Sequence, residues 1–296
     1  MRSDPPPVIV AGAAGFVGRA VLEELARRGC RPIGVARRGF AVPAGAQAMV
    51  LDGLETLTVP EGAVLIHCAE APQTDPALTA EQDARARRDR LENLLEKAWG
   101  RFVYVSSAVV YGDALPHPRR PDEPVAPSSP YGQAKAACEA LAQTKGAAVV
   151  RLSNIYGPGM SSGTVLGILL DQIPGQGPVT VRDTSPVRDY LWVEDAARGL
   201  ADIARGQEAG VFNLGTGRGT SVLALALAAL NAAGEGTRPV RAAAAAAAIT
   251  PSTVRLDPSA TTAVFGWQPR VAVEDGIARL IAARGAANQP LIPPNV

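Results

Sequence analysis

The chain lacks an excess of charge of either sign: 29 basic against 28 acidic residues leave a formal net charge of +1. So weak a field excludes broad electrostatic capture of nucleic acid or of an anionic membrane, and any anionic ligand must be held by local groups. Cysteine is equally scarce. Cys30, Cys68 and Cys138 are odd in number, far apart and without metal-ligand spacing. That argues against a disulfide scaffold, fits a reducing compartment and gives no reason to expect a metal. No apolar run is long enough to span a bilayer, and Met1-Arg2-Ser3-Asp4-Pro5-Pro6-Pro7 carries no signal-peptide pattern. A cytoplasmic location without membrane contact is expected. With 296 residues, one large domain plus a smaller lobe is the expectation, since single domains commonly hold roughly 100–200 residues.

What is present is an alternation of short β-branched runs with helical periodicity, the pattern of a parallel sheet covered on both faces. Strands are predicted at 8–11, 32–36, 48–51, 64–68, 102–106 and 148–152, with helices at 17–28, 79–98 and 131–145. In the second helix Arg85, Arg87, Arg88, Asp89 and Arg90 read as a solvated face, with Leu91, Leu94 and Leu95 turned inward. Beyond residue 152 the rhythm breaks into Gly- and Pro-rich connections, where a substrate lobe is expected. A late strand and loop, Val211-Phe212-Asn213-Leu214-Gly215-Thr216-Gly217, reads as a return to the main sheet, and 242–248 is an unbroken alanine run.

The first strand runs into Gly12-Ala13-Ala14-Gly15-Phe16-Val17-Gly18 and then an amphipathic helix. On such a strand, turn and helix the first glycine permits the tight turn and the second admits a pyrophosphate to the backbone. The third lets helix and sheet approach, and the helix N-terminus attracts the phosphates. The second strand ends Val35-Ala36-Arg37-Arg38. An NAD site usually places an acid there for the adenosine ribose. With no carboxylate and two guanidinium groups, this site favours NADP(H), with NAD(H) the alternative. Asp52, closing the third strand, could accept from the adenine amino group or open an Asp-Gly turn. Cys68 and Ala69 at the end of the fourth strand complete the expected cofactor contacts.

The fold class expected from this is α/β: a doubly wound parallel sheet of Rossmann type with a smaller C-terminal α/β substrate lobe interleaved in sequence. The dinucleotide-binding domain is placed at 1–153 plus about 186–220, and the lobe at about 154–185 and 221–296.

Ser107 follows the fifth strand and so falls at the carboxyl edge of the sheet, where open α/β folds bind ligands. Tyr131 and Lys135 lie four apart on a helix and share a face. A phenol of pKa about 10 is a poor acid or base at neutral pH, and a neighbouring ammonium is expected to lower it. Tyr131 could then exchange a proton with a substrate oxygen that Ser107 also hydrogen-bonds. Lys135 would in addition hold the nicotinamide ribose.

Together these segments resemble the extended short-chain dehydrogenase/reductase family, the NAD(P)-dependent epimerase/dehydratase group acting on nucleotide sugars. The resemblance rests on the glycine loop, Val105-Ser106-Ser107-Ala108-Val109-Val110-Tyr111-Gly112, Pro130-Tyr131-Gly132-Gln133-Ala134-Lys135 and Arg151-Leu152-Ser153-Asn154-Ile155-Tyr156-Gly157-Pro158. It continues through Val187-Arg188-Asp189-Tyr190-Leu191-Trp192-Val193-Glu194-Asp195, Phe212-Asn213-Leu214-Gly215-Thr216-Gly217 and Phe265-Gly266-Trp267-Gln268-Pro269. It implies that Asn154 contacts the phosphate region of a nucleotide sugar and that Arg188 pairs with its pyrophosphate. It also implies a homodimer built through the helix that carries Tyr131.

Departures from the family pattern narrow the reaction. Dehydratases and decarboxylases of this kind place an acid directly after the catalytic Ser or Thr, and epimerases acting beside a ketone commonly carry Cys two positions after it. Here Ala108 and Val109 follow. Arg87–Leu91 replaces the family's Asn-x-x-Gly-Thr stretch, and the second phosphate-binding arginine expected before Asp257 falls in the alanine run, leaving Arg241 or Arg255 as substitutes. The resulting expectation is NADPH-dependent reduction of a keto group on a nucleotide-linked (deoxy)sugar. An NAD-dependent 4-epimerase is the alternative, and a non-catalytic dinucleotide-binding protein a third reading.

Overall fold

The computed structural model describes residues 6–70, 78–113, 117–243 and 252–287. Strands β1 (Val8–Ala11), β2 (Ile33–Ala36), β3 (Gln47–Val50), β4 (Val64–His67), β5 (Arg101–Ser107) and β6 (Ala148–Leu152) alternate with helices α1 (Phe16–Arg27), α2 (Ala80–Leu95) and α3 (Pro130–Thr144). With β11 (Gly210–Leu214) they form one seven-stranded parallel sheet in the order β3-β2-β1-β4-β5-β6-β11. Central strands such as Val64-Leu65-Ile66-His67 are buried at every position, as a sheet covered on both faces requires. Of the late strand and loop predicted at 211–217, residues 211–214 pair in register with β6.

The two faces have separate cores. Helices α1 and α5 (Val193–Arg205) cover one, where Leu22, Leu25, Leu200 and Ile203 meet Val10, Ile66 and Val103. The other is covered by α2 and α3, whose Leu91, Leu94, Cys138 and Ala142 meet Leu65, Tyr104 and Val149. Short polar residues start these helices. Thr79 and Gln82 form a reciprocal capping box at α2, and Ser129 caps α3 ahead of Pro130 in its first turn. In each case the cap precedes the first helical residue, so α2 begins at Ala80, one residue later than predicted.

A third core gathers residues from after β6. It joins β7 (Asn154–Tyr156), β8 (Val179–Val181) and β10 (Tyr190–Trp192) to α4 (Val165–Asp171), α6 (Val222–Ala232) and α8 (Val273–Ala287). Along the β10 segment alternate residues face different cores: Tyr190 and Trp192 belong to this one, Leu191 and Val193 to the α1–α5 core. A strand of period two thus stitches the two bodies together. Among the described residues no helix is long and apolar enough to cross a membrane.

Two acidic residues of the Arg188–Asp195 segment are structural anchors. Asp189 is buried and accepts hydrogen bonds from the amides of Thr216, Gly217 and Leu256 and from the Thr216 hydroxyl, closing the loop after β11. Asp195 accepts from the amides of Arg270 and Val271 and pairs with Arg198, while its carbonyl accepts from the Trp267 indole at 2.9 Å. Trp267 is only 1 % exposed and ties the C-terminal segment to α5. Trp267→Ala is expected to cost about 3–5 kcal/mol in chemical denaturation. Leu223→Ala, on an exposed face of α6, should stay within about 1 kcal/mol.

Candidate active site

In a parallel sheet every strand ends at the same edge. That edge collects the glycine loop after β1, Arg37 and Arg38 after β2, Asp52 after β3, Cys68–Glu70 after β4 and Ser107 at the end of β5. Gly12 has φ +78, and a Cβ there would stand 2.8 Å from the Ala69 Cα and the Cys68 carbonyl oxygen. A Cβ at Gly18 would overlap the Gly12 carbonyl. The loop is therefore drawn tight against the end of β4, and Gly15 caps α1 without a side chain in front of the helix N-terminus. Phe16 and Val17 begin that helix. This is a cradle that side chains would fill, and it fits a pyrophosphate. Arg37, Arg38 and Asp52 are exposed, and neither arginine is in an ion pair among the described residues. Ala69 is exposed and Cys68 half-buried, its thiol pushed up to about 12 by burial.

Ser107 ends β5, and its hydroxyl accepts from the Val109 amide at 3.4 Å, capping a short 3₁₀ turn over Ala108–Tyr111. The first turn of α3 lies against that turn: a Cβ on Gly132 would meet the Val109 carbonyl oxygen at 3.2 Å. The next turn of α3 carries Lys135, 4 % exposed, whose ammonium donates to the Val105 carbonyl at 2.8 Å and lies 4.7 Å from the centre of the Tyr104 ring. Ser107, Tyr131 and Lys135 are thus on adjoining elements at one end of β5.

The structure adds two groups that sequence reasoning passed over. Glu70, just past β4, places its Oε2 2.9 Å from the Lys135 ammonium, and its Oε1 accepts from the Tyr104 hydroxyl at 3.0 Å. Arg87 was expected on a solvated face but is buried: it pairs with Asp83 at 2.7 Å and its guanidinium lies 5.9 Å from the Tyr131 ring centre. The apolar-stripe rule missed it because its carboxylate partner sits one helical turn earlier and a second, Glu70, comes from the sheet. Glu70 carried a faint signal, a lone carboxylate directly after a buried strand, but no spacing rule singles it out.

The charges around the phenol correct one expectation. Burial, the largest cause, raises the Tyr131 pKa above the ordinary phenol value; Lys135 and Arg87 pull it down, and Glu70 opposes them. Lys135 does pull the phenol down, but burial outweighs it, so the expected net lowering does not occur in the protein alone. Burial would raise the Glu70 carboxyl, but Lys135, His67 and the Tyr104 hydrogen bond outweigh it and hold it below the usual carboxylate value. His67 is stacked beside Phe102 and Tyr104 at 6.2 and 5.9 Å, and burial lowers its pKa.

Beyond β6, Asn154 is exposed at the start of β7, and its backbone amide donates to the Asp189 carbonyl, next to Arg188. A cavity of about 120 Å³ lies here, lined by Asn154, Tyr156, Thr164, Val165 and Tyr190 among others. Arg188, in β9 (Val187–Arg188), is half-buried and engaged: it donates to the Ser252 carbonyl and hydroxyl at 2.9 and 2.6 Å and pairs with Asp113 at 3.4 Å. Arg241 is exposed in β13 (Val240–Ala242) and Arg255 half-buried near Gly219; most of the alanine run lies outside the described residues.

Comparison with known proteins agrees with this architecture. The chain is 26 % identical over 309 residues to UDP-glucuronic acid decarboxylase 1 of Arabidopsis thaliana, covering 93 % of this chain and 69 % of that protein. It is 26 % identical over 313 residues to dTDP-6-deoxy-L-talose 4-dehydrogenase (NAD(P)(+)) of Kitasatospora kifunensis, covering 96 % and 97 %. The solved structure of MoeE5 in complex with UDP-glucose and NAD superposes with a TM-score of 0.81 at 25 % identity, over 96 % of this chain and all of that one. Other relatives are nucleotide-sugar epimerases and dehydratases. The model of the NAD dependent epimerase/dehydratase family matches residues 8–215, and the chain belongs to that family, the extended type of short-chain dehydrogenase/reductase.

Proposed function

We propose that this enzyme is an NADPH-dependent ketoreductase acting on a keto group of a nucleotide-linked (deoxy)sugar. The observation that carries the reading is the end of β2. Arg37 and Arg38 are exposed there, unpaired among the described residues and without an acid to repel a 2′-phosphate. Preference for NADP(H) suits a reductase, which must exchange its cofactor with a reducing pool. Support from the chemistry side is that Ala108 is buried and Val109 apolar where an eliminating enzyme would need a second acid.

In this reading Gly12, Gly15, Phe16, Val17 and Gly18 receive the pyrophosphate. Asp52, Cys68 and Ala69 flank the adenosine half, and Arg37 with Arg38 binds the 2′-phosphate. The bound nicotinamide supplies the hydride for the carbonyl carbon. Tyr131 gives its phenolic proton to the carbonyl oxygen, Ser107 hydrogen-bonds and orients that same oxygen, and water later returns a proton to the tyrosinate. Lys135 anchors the nicotinamide ribose. Asn154 and Arg188 receive the phosphates of the sugar nucleotide; Arg188 must then trade the weak Asp113 contact for substrate. The reading keeps the division into a dinucleotide domain and a substrate lobe, a homodimer through the α3 helix and a cytoplasmic location.

The second reading is a 4-epimerase, favoured by the NAD and UDP-glucose held in the MoeE5 structure. Such an enzyme oxidises and re-reduces one carbon and returns its NAD unchanged.

Two outcomes test the ketoreductase. Tyr131→Phe should lower kcat for NADPH-driven reduction of nucleoside-diphosphate keto-sugars by about 10²–10⁴-fold, with NADPH affinity little altered. Unchanged turnover removes Tyr131 from the mechanism. Arg37→Ala should weaken NADPH binding by roughly tenfold or more in titration calorimetry and leave NADH binding where it was. An unaltered preference would mark Arg37 as ordinary surface.

A further inference from the structure

The mechanism above gives no task to Glu70, although its side chain is only 8 % exposed. Its carboxylate sits in a closed set of contacts: the Tyr104 hydroxyl at 3.0 Å, the Lys135 ammonium at 2.9 Å and the Arg87 guanidinium at 3.9 Å. A buried carboxylate is costly unless such partners compensate it. A chain that placed Lys135 solely for a ribose would not need a competing anion against it.

We propose that Glu70 is a positioning residue for Tyr131: by clamping and neutralising Lys135 it keeps the phenolic proton in place, as proton donation to a carbonyl oxygen requires. Only the last clause rests on the ketoreductase reading; the charge balance does not.

The balance is visible group by group. Facing Tyr131 are Lys135 from its own helix, Arg87 from α2 and Glu70 from the end of β4. Each cation has a carboxylate of its own, Glu70 for Lys135 and Asp83 for Arg87 at 2.7 Å. Facing Glu70 are Tyr104 from β5, Lys135 from α3, Arg87 from α2 and His67 from β4, and burial disfavours the charged form of His67. Two positive and two negative charges therefore share one enclosed neighbourhood. Removing the Glu70 charge leaves an uncompensated ammonium one helical turn from the phenol.

The sign follows. With Glu70 ionised the phenol holds its proton, the state needed when hydride reaches the carbonyl carbon and a proton must reach the oxygen. Without it Lys135 is unopposed and the phenol loses its proton at lower pH.

The test uses cofactor-free protein labelled at the tyrosine Cζ carbon, with the Tyr131 resonance among the five tyrosines assigned from Tyr131→Phe. Its NMR titration midpoint should fall by about one pH unit or more in Glu70→Gln and return to within a few tenths in Glu70→Asp. The neutral pair Glu70→Gln with Lys135→Met, which removes both charges together, should also lie close to wild type. A folded Glu70→Gln protein with an unmoved midpoint overturns the proposal. So does a double variant displaced downward as far as the single one is expected to be, which keeps the test decisive if Glu70→Gln does not fold. In turnover, Glu70→Gln should move the alkaline limb of the pH profile for ketone reduction downward by a similar amount; a shifted midpoint in an enzyme that reduces no ketone upholds the role of Glu70 and overturns the ketoreductase reading.

Discussion

The site is organised by one buried ammonium. Lys135 Nζ is held by the Val105 carbonyl, the Glu70 carboxylate and the face of Tyr104, contacts that come from β5 and from the segment after β4. Taking an ammonium out of water costs several kcal/mol unless its donors are filled, so these elements are fixed relative to one another by the need to satisfy it. Helix α3 is thereby locked against the carboxyl edge of the sheet with Tyr131 one turn before the anchor. A second buried pair, Arg151 with Glu139 at 2.7 Å, fastens the same helix to β6.

That lock works only because the sheet is parallel. Parallel strands deliver the glycine loop, the β2 arginines, Glu70 and Ser107 to one edge, and helices on both faces leave that edge as the open side. Close approach at Gly12 and Gly18 then sets the spacing between the loop and β4. Side chains at either position would push the loop from Cys68 and Ala69 and open the cradle. Cofactor geometry and proton chemistry thus share a boundary, the end of β4, where Ala69 touches the glycine loop and Glu70 touches the ammonium.

Much of this was legible in the sequence. Strands such as 8–11 and 148–152 were predicted to the residue because doubly covered strands are nearly continuous apolar runs bounded by Gly or turn residues. Helix ends were predicted to within a few residues, since caps and fraying blur them. What failed was charge that pairs across elements. Arg87 belongs to a run of charged residues, and no periodicity separates the arginine that turns inward from those beside it. The i, i+4 rule sees Lys135 next to Tyr131 but neither Glu70, which reaches the ammonium from the segment after β4, nor the burial that is the largest cause of the raised phenol pKa. Asp189 and Asp195 lie within a family-like motif, and their work as loop anchors emerges only from the contacts.

On the proposed ketoreductase reading, this site consumes and releases a reduced cofactor instead of keeping one. The most direct measurement is the nucleotide released when the freshly purified protein is denatured. The account predicts no stoichiometric NAD, with any nucleotide recovered being NADP(H) in readily exchanged amounts. One tightly held equivalent of NAD per chain would contradict it and fit an enzyme that oxidises and re-reduces its substrate on a retained cofactor.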